Sequence, residues 1–188
     1  MTFFTSDTHF GHANIIKYCN RPFASAEEMD EALVRAWNAR VQPQDTVWHL
    51  GDFTMNGGPD KVRSYRDRLN GKIHLIWGNH DRRAPEVAAL FESTHDLIQM
   101  SCSADGRDHT LVLCHYAMRV WPRSHRGIWH LYGHSHGSLT DDPNALSLDI
   151  GTDCWAFAPV SIAQIAERMA AKAWRPVDHH GREGGTPA

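Results

Sequence analysis

Five short stretches of the chain carry side chains suited to metal ligation: Asp7-Thr8-His9, Gly51-Asp52, Gly78-Asn79-His80-Asp81, Cys114-His115 and Gly133-His134-Ser135-His136. Each follows a run that reads as a β-strand, and side chains at the carboxyl ends of strands in an α/β protein face one shared crevice. In an extended segment residues two apart point to the same side, so Asp7 and His9 are expected to grip one ion. A tight turn after Gly133 is expected to let His134 and His136 reach two neighbouring ions. Gly51, Gly78 and Gly133 would let the backbone turn and approach the metals without a Cβ in the way. Oxygen and imidazole donors without a thiolate suit Mn²⁺, Fe or Zn²⁺. Singly, each stretch is more often a turn or a satisfied polar contact. Together they point to a metal centre.

The elements that must position these residues can be read from periodicity. Residues 2–6, 46–50 and 72–77 read as strands, and Asn70-Gly71 marks the turn before the third. Residues 26–41 form an amphipathic helix, with Ser25 as its cap, Glu27 and Glu28 in its first turn, and Met29, Leu33, Ala36 and Trp37 on one face. Residues 59–69 and 85–91 read as further helices. Beyond them the chain turns strand-rich, at 97–100, 110–114, 128–132 and 145–150. The segment 161–174 is ambiguous at its start and helical through 163–170. Alternation of this kind is the pattern of an α/β protein.

At 188 residues with 41% hydrophobic and 22% charged residues, the chain is expected to form one domain over residues 1–177, followed by a polar, Gly-rich tail at 178–188. His179 and His180 fall in that tail and carry no expected role. A net charge of −3 gives no footprint for binding duplex nucleic acid. No basic leader precedes a long apolar run, and no stretch approaches the roughly 18 apolar residues that span a bilayer, so a cytoplasmic protein without a membrane partner is expected. Cys19, Cys102, Cys114 and Cys154 lie far apart without CxxC spacing, which predicts buried free thiols rather than a disulfide or thiolate zinc site.

The ordered set D-x-H, G-D, G-N-H-D, a lone H and G-H-x-H, from Asp7 to His136, resembles the calcineurin-like metallophosphoesterase superfamily over the first three quarters of the chain. The resemblance implies a four-layer α/β/β/α sandwich with two mixed β-sheets. It implies two divalent metal ions, Mn²⁺ foremost, with Fe, Zn²⁺ or Ni²⁺ as alternatives. One ion would be held by Asp7, His9, Asp52 and His136, and the other by Asp52, Asn79, His115 and His134, with Asp52 bridging. The ions would share a nucleophilic hydroxide and clamp the phosphoryl oxygens. His80 matches the family's histidine that contacts phosphate and protonates the leaving oxygen, with Asp81 orienting it. The implied activity is hydrolysis of phosphodiesters or phosphomonoesters of small molecules or nucleotides.

Phe53-Thr54-Met55 after Asp52 replaces the Asp-Arg-Gly of Ser/Thr protein phosphatases and argues against a phosphoprotein substrate. The opening from Asp7 through Ile16, with Asn20-Arg21-Pro22-Phe23 downstream, looks like a subgroup of small bacterial or phage phosphoesterases. There His12 and Asn14 either reach the substrate or merely start a helix. Arg82 and Arg83 are expected to contact substrate phosphate together with Asn79 and His80. The loop 116–127, rich in Arg and aromatics, could stack on a base or bind a second phosphate, or could pack its Trp underneath itself. A nuclease acting on single-stranded ends is the alternative enzyme; a metal-binding scaffold without activity is the alternative from another class.

Overall fold

The computed structural model describes residues 1–104 and 106–177; the tail expected at 178–188, with His179 and His180, lies outside the described residues. The chain builds an α/β architecture around two mixed sheets. The first has the order β4-β3-β2-β1-β9, formed by β1 (Thr2–Thr5), β2 (Thr46–His49), β3 (Lys72–Ile76), β4 (Ser93–His95) and β9 (Val160–Ser161). Its strands run parallel except β9, which pairs antiparallel with β1. The second has the order β5-β6-β7-β8, from β5 (Leu97–Ala104), β6 (Arg107–Cys114), β7 (Trp129–Tyr132) and β8 (Ser147–Asp149). Here β5 and β6 are antiparallel, whereas β6, β7 and β8 are parallel.

Alternation along the first sheet divides the apolar side chains between two cores. Phe3, Val47, Ile73 and Leu75 cluster with Met29, Leu33 and Trp37 of α2 (Ala26–Asn38) and with Val62 of α3 (Pro59–Arg66). Phe4, Trp48 and Ile76 point the other way and join Leu111, Leu113, Leu131 and Leu148 of the second sheet. The start of α2 is fixed as its sequence requires, with the Glu28 N–H donating to Ser25 Oγ at 3.2 Å. A capping box of Ser161 and Gln164 resolves the ambiguous segment: β9 stops there and α5 (Ile162–Ala170) begins.

Several elements depart from the sequence reading. The helices expected at 59–69 and 85–91 end early, as α3 and as α4 (Pro85–Ala88). Strands β5 and β6 are longer than expected, because ladder pairing continues through Ser101, Ser103 and Asp108, where one face meets water. Strand β4 has no apolar pattern; it is held by pairing with β3 and by Ser93 Oγ, which lies 2.7 Å from His74 Nδ1 and 2.9 Å from His95 Nε2. Helix α1 (Ala13–Tyr18) begins directly after His12, at the helix start that the sequence offered as one of two readings of His12 and Asn14. All four cysteines are free, but only Cys102 is buried and Cys154 is exposed. No helix among the described residues is long and apolar enough to cross a membrane.

On β7 the side chain of His130 points opposite to those of Trp129 and Leu131 and meets the 116–127 loop. The Met118 N–H donates to His130 Nε2 at 3.1 Å, and the Trp121 ring centroid lies 5.4 Å away. At this point the sheet is therefore covered by a loop rather than a helix. Burial lowers the His130 pKa to about 4, against the opposing pull of the Val112 and Tyr116 carbonyls. An unfolded histidine titrates near 6.5, so between those values the unfolded chain binds a proton that the folded chain refuses. The stability contributed by the neutral ring is complete above about pH 6.5 and is lost as pH falls toward 4. Urea unfolding across this range is expected to show falling stability in the wild type and a shallower fall in His130→Gln; equal slopes would contradict it.

Candidate metal centre

The first loop of candidate ligands begins where β1 ends, and it is laced to the loop after β2 by backbone hydrogen bonds. The N–H groups of Asp7, His9 and Phe10 donate to the carbonyls of Gly51, Asp52 and Phe53, each at 2.9 Å. Five of the seven expected ligands take left-handed backbone conformations: Asp7 (φ 59°), His9 (50°), Asp52 (57°), His134 (67°) and His136 (48°). Asp7 and His9 thus do not converge by lying two apart in an extended strand, as their spacing suggested. They converge through a turn whose non-glycine φ values cost on the order of 1–3 kcal/mol each, offset by the surrounding hydrogen bonds. Aspartate and histidine are among the side chains that enter this region most readily.

Two of the glycines meet the crowding expected of them. A Cβ on Gly133 would stand 2.1 Å from Ser6 Oγ and 2.5 Å from Asp7 Oδ2, and one on Gly78 would stand 2.2 Å from Asp52 Oδ1. Only a residue without a side chain lets these loops close on the two aspartates. The His134 N–H also donates to both Asp7 oxygens, at 3.1 and 3.0 Å, tying the last loop to the first.

The loops bring the ligand atoms into two adjoining groups. Asp7, His9 and His136 offer atoms that all lie within 4.8 Å of one another, and so do Asp52, His115 and His134. Asn79 joins the second group, its Oδ1 3.1 Å from His115 Nε2. Asp52 stands between the groups: its Oδ2 lies 3.5 Å from both His9 Nε2 and His115 Nε2, while its Oδ1 accepts the His80 N–H at 2.8 Å.

The electrostatics of this cluster call for cations. Burial pushes the Asp7 carboxyl up to about 7, although the rings of His136 and His115 pull it down. Burial lowers the His9 pKa to about 2, with the neighbouring His136, Arg21 and His80 acting in the same direction and Asp52 opposing. A neutral imidazole is the ligating form, and His9 Nε2 is buried without a hydrogen-bond partner among the described residues. Asp52 is also desolvated, yet the hydrogen bond and charge of His115, the His80 N–H and His9 hold it below the ordinary carboxylate range. An orphaned imidazole nitrogen, an under-compensated buried carboxylate and a set of oxygen and nitrogen donors together fit divalent metal ions.

Residues 2–165 match the model of the calcineurin-like phosphoesterase superfamily domain. The chain belongs to that superfamily. It is 33% identical over 168 residues to the uncharacterised protein MJ1445 of Methanocaldococcus jannaschii, covering 86% of this chain and 87% of the relative. It is 29% identical over 177 residues to the gene 66 protein of Mycobacterium phage D29, covering 81% and 87%. Among solved structures it is similar to AQ665 of Aquifex aeolicus, a protein of unknown function, with a TM-score of 0.65 and 21% identity over 89% of this chain and 98% of that one. That likeness supports the fold.

Within this calcineurin-like centre, the remaining expected residues divide. His80 is half-buried beside the first group, its ring 5.3 Å from that of His9. His12 precedes α1 without capping it; its Nδ1 lies 3.4 Å from His9 Nδ1 and its ring 6.2 Å from that of His80. Asn14 is exposed on α1. Asp81 does not bond the His80 ring, as its orienting role required. Its oxygens accept the backbone N–H groups of Asp52, Gly78 and Phe53 at 2.8–2.9 Å, so it cinches the two ligand loops together. Arg83 is drawn to the surface, paired with Asp96 at 2.5 Å and lying over Trp77. Arg82 is exposed and makes no ion pair among the described residues. In the 116–127 loop, Trp121 is buried and donates from Nε1 to the Ile128 carbonyl at 2.8 Å, so it packs beneath its own loop.

Sequence reasoning missed the residues that hold His136. Asp153 Oδ2 accepts from His136 Nδ1 at 2.7 Å, which puts the proton on Nδ1 and turns Nε2 toward the Asp7 side of the centre. Buried Arg21 clamps Asp153 through Nε and Nη2 at 2.8 and 2.7 Å, and also donates to the carbonyls of Asp7 and Thr8. Replacement Asp153→Asn is expected to weaken metal affinity about 10- to 100-fold at the site that uses His136, leaving the second comparatively intact. Titration calorimetry with Mn²⁺ checks this, and unchanged binding at both sites would contradict it.

Proposed function

We infer that this chain is a metal-dependent phosphoesterase that hydrolyses phosphodiester or phosphomonoester bonds of small molecules or nucleotides at a dinuclear centre. One ion would be held by Asp7, His9, Asp52 and His136, and the other by Asp52, Asn79, His115 and His134. The observation that carries this reading is Asp52, whose Oδ2 lies 3.5 Å from an imidazole of each ligand group. When bound, two divalent ions would supply Lewis-acid polarisation of the phosphoryl oxygens and a water of lowered pKa. The protein's own contribution is positional. Asp81 and the glycines hold the ligand loops in register, and buried neutral His9 offers a nitrogen needing no deprotonation. Half-buried His80, its ring 5.3 Å from that of His9, would give a proton to the leaving oxygen. The net charge of −3 favours a small substrate over a duplex.

The test pairs metal analysis of protein purified without chelator with release of p-nitrophenol from mono- and bis-p-nitrophenyl phosphate. Mn²⁺-dependent release that chelation abolishes is expected. No metal-dependent release from either ester would sink the proposal. Activity confined to the monoester would remove the diester from the substrate class.

A further inference from the structure

Of the aromatic residues in the 116–127 loop, one is left facing the centre. Tyr116 follows ligand His115 directly, and its ring lies 4.9 Å from the rings of both His115 and His134. Both contacts are edge-type, with interplanar angles of 74° and 65°, and they leave the ring 47% exposed. His134 is itself exposed, so the ring opens onto the same solvent-facing mouth. Burial of Trp121 removes the other aromatic of this loop from contention. Tyr18 is more exposed, but its ring contact toward the centre is with His12, at 6.4 Å.

A large aromatic ring in water at the lip of a catalytic centre forgoes the apolar burial it would gain in a core. What it offers is a rigid planar face with little conformational entropy to lose on binding. A phosphate bound at an ion held by Asn79, His115 and His134 would lie beside the Tyr116 ring, which stands 4.9 Å from the rings of two of those residues. Every nucleobase has a planar face that stacks on such a ring, whatever its hydrogen-bonding edge.

We propose that Tyr116 is a specificity-determining platform that stacks the nucleobase of the substrate, which makes nucleotides the preferred substrate class of this centre. The proposal rests on the phosphoesterase reading above. It assigns Tyr116 to substrate selection and leaves metal binding to the residues already named. Purines, with the larger face, should gain more than pyrimidines.

The experiment is calorimetric binding of adenosine 5′-monophosphate and ribose 5-phosphate to the manganese-loaded full chain and to its Tyr116→Ala and Tyr116→Phe variants. The two ligands share a phosphate and a sugar and differ in the base. The wild type is expected to bind the nucleotide about tenfold more tightly, in line with stacking on one aromatic ring. The preference should collapse in Tyr116→Ala and persist in Tyr116→Phe, which keeps the ring. Affinity for ribose 5-phosphate should be the same in all three proteins, since that ligand reports an intact phosphate seat. Equal binding of the two ligands by the wild type, or a preference that survives Tyr116→Ala, overturns the platform alone. Failure of both ligands to bind, together with no hydrolysis of the nitrophenyl esters, overturns the phosphoesterase reading and the platform with it.

Discussion

Replacement Asp52→Asn is expected to strip both metals and to lower kcat/KM about a thousandfold or more. Oδ2 of this residue stands between the two ligand groups, 3.5 Å from His9 Nε2 and from His115 Nε2. An amide in its place loses the negative charge that two cations and their ligating histidines need. A metal pair that polarises phosphoryl oxygen is worth several kcal/mol of barrier, and each ~1.4 kcal/mol is a factor of ten. His9→Ala provides the contrast. His9 belongs to the group with Asp7 and His136, so its loss should weaken one ion and spare most of the other. Metal content by mass spectrometry of the native proteins reads both outcomes, and equal loss of both ions in the His9 variant would refute the division into two sites.

The second large effect separates chemistry from metal binding. His80→Ala should reduce kcat by about 10²–10⁴, the usual contribution of a general acid, with metal content unchanged. The reason lies in which atoms of His80 do the holding. Its backbone N–H donates to Asp52 Oδ1 at 2.8 Å, and its carbonyl accepts the Asn56 N–H at 2.8 Å. Both bonds survive truncation of the side chain. The ring itself stands beside the first ligand group, half in solvent. A leaving group that needs no proton, such as p-nitrophenolate, should suffer a smaller loss than an alkoxide. Equal losses for the two leaving groups would remove His80 from the role of proton donor and leave it a phosphate contact.

The part played by Asp81 illustrates how a motif and its structural role can diverge. The resemblance cast it as the partner of the His80 ring, yet it accepts three backbone N–H groups from the loops that carry Asp52 and Asn79. It reaches His80 only through the chain. Arg83 diverges further: adjacency to the motif suggested phosphate contact, but Asp96, across the turn into β5, pairs with it at the surface.

What the sequence by itself determined was the set of donors and their order. Ligand types, the flanking glycines and the strand that precedes each loop are local properties, written within a few residues of one another. The capped start of α2 is local in the same sense, as is the strand-rich second half. What only the tertiary structure decided was how those donors are grouped and what holds them. The left-handed turns at Asp7, His9, Asp52, His134 and His136 are strained conformations that Asp and His tolerate better than most residues but do not prefer, and they persist because loops far apart in the chain hydrogen-bond across the crevice. The Arg21–Asp153 clamp on His136 joins positions 132 residues apart, and nothing around either residue announces the other. Strand β4 is too short and too polar to carry a periodicity, so pairing with β3 creates it. Exposure of Tyr116 beside burial of Trp121 follows the path of one loop across β7, and no residue type encodes that path.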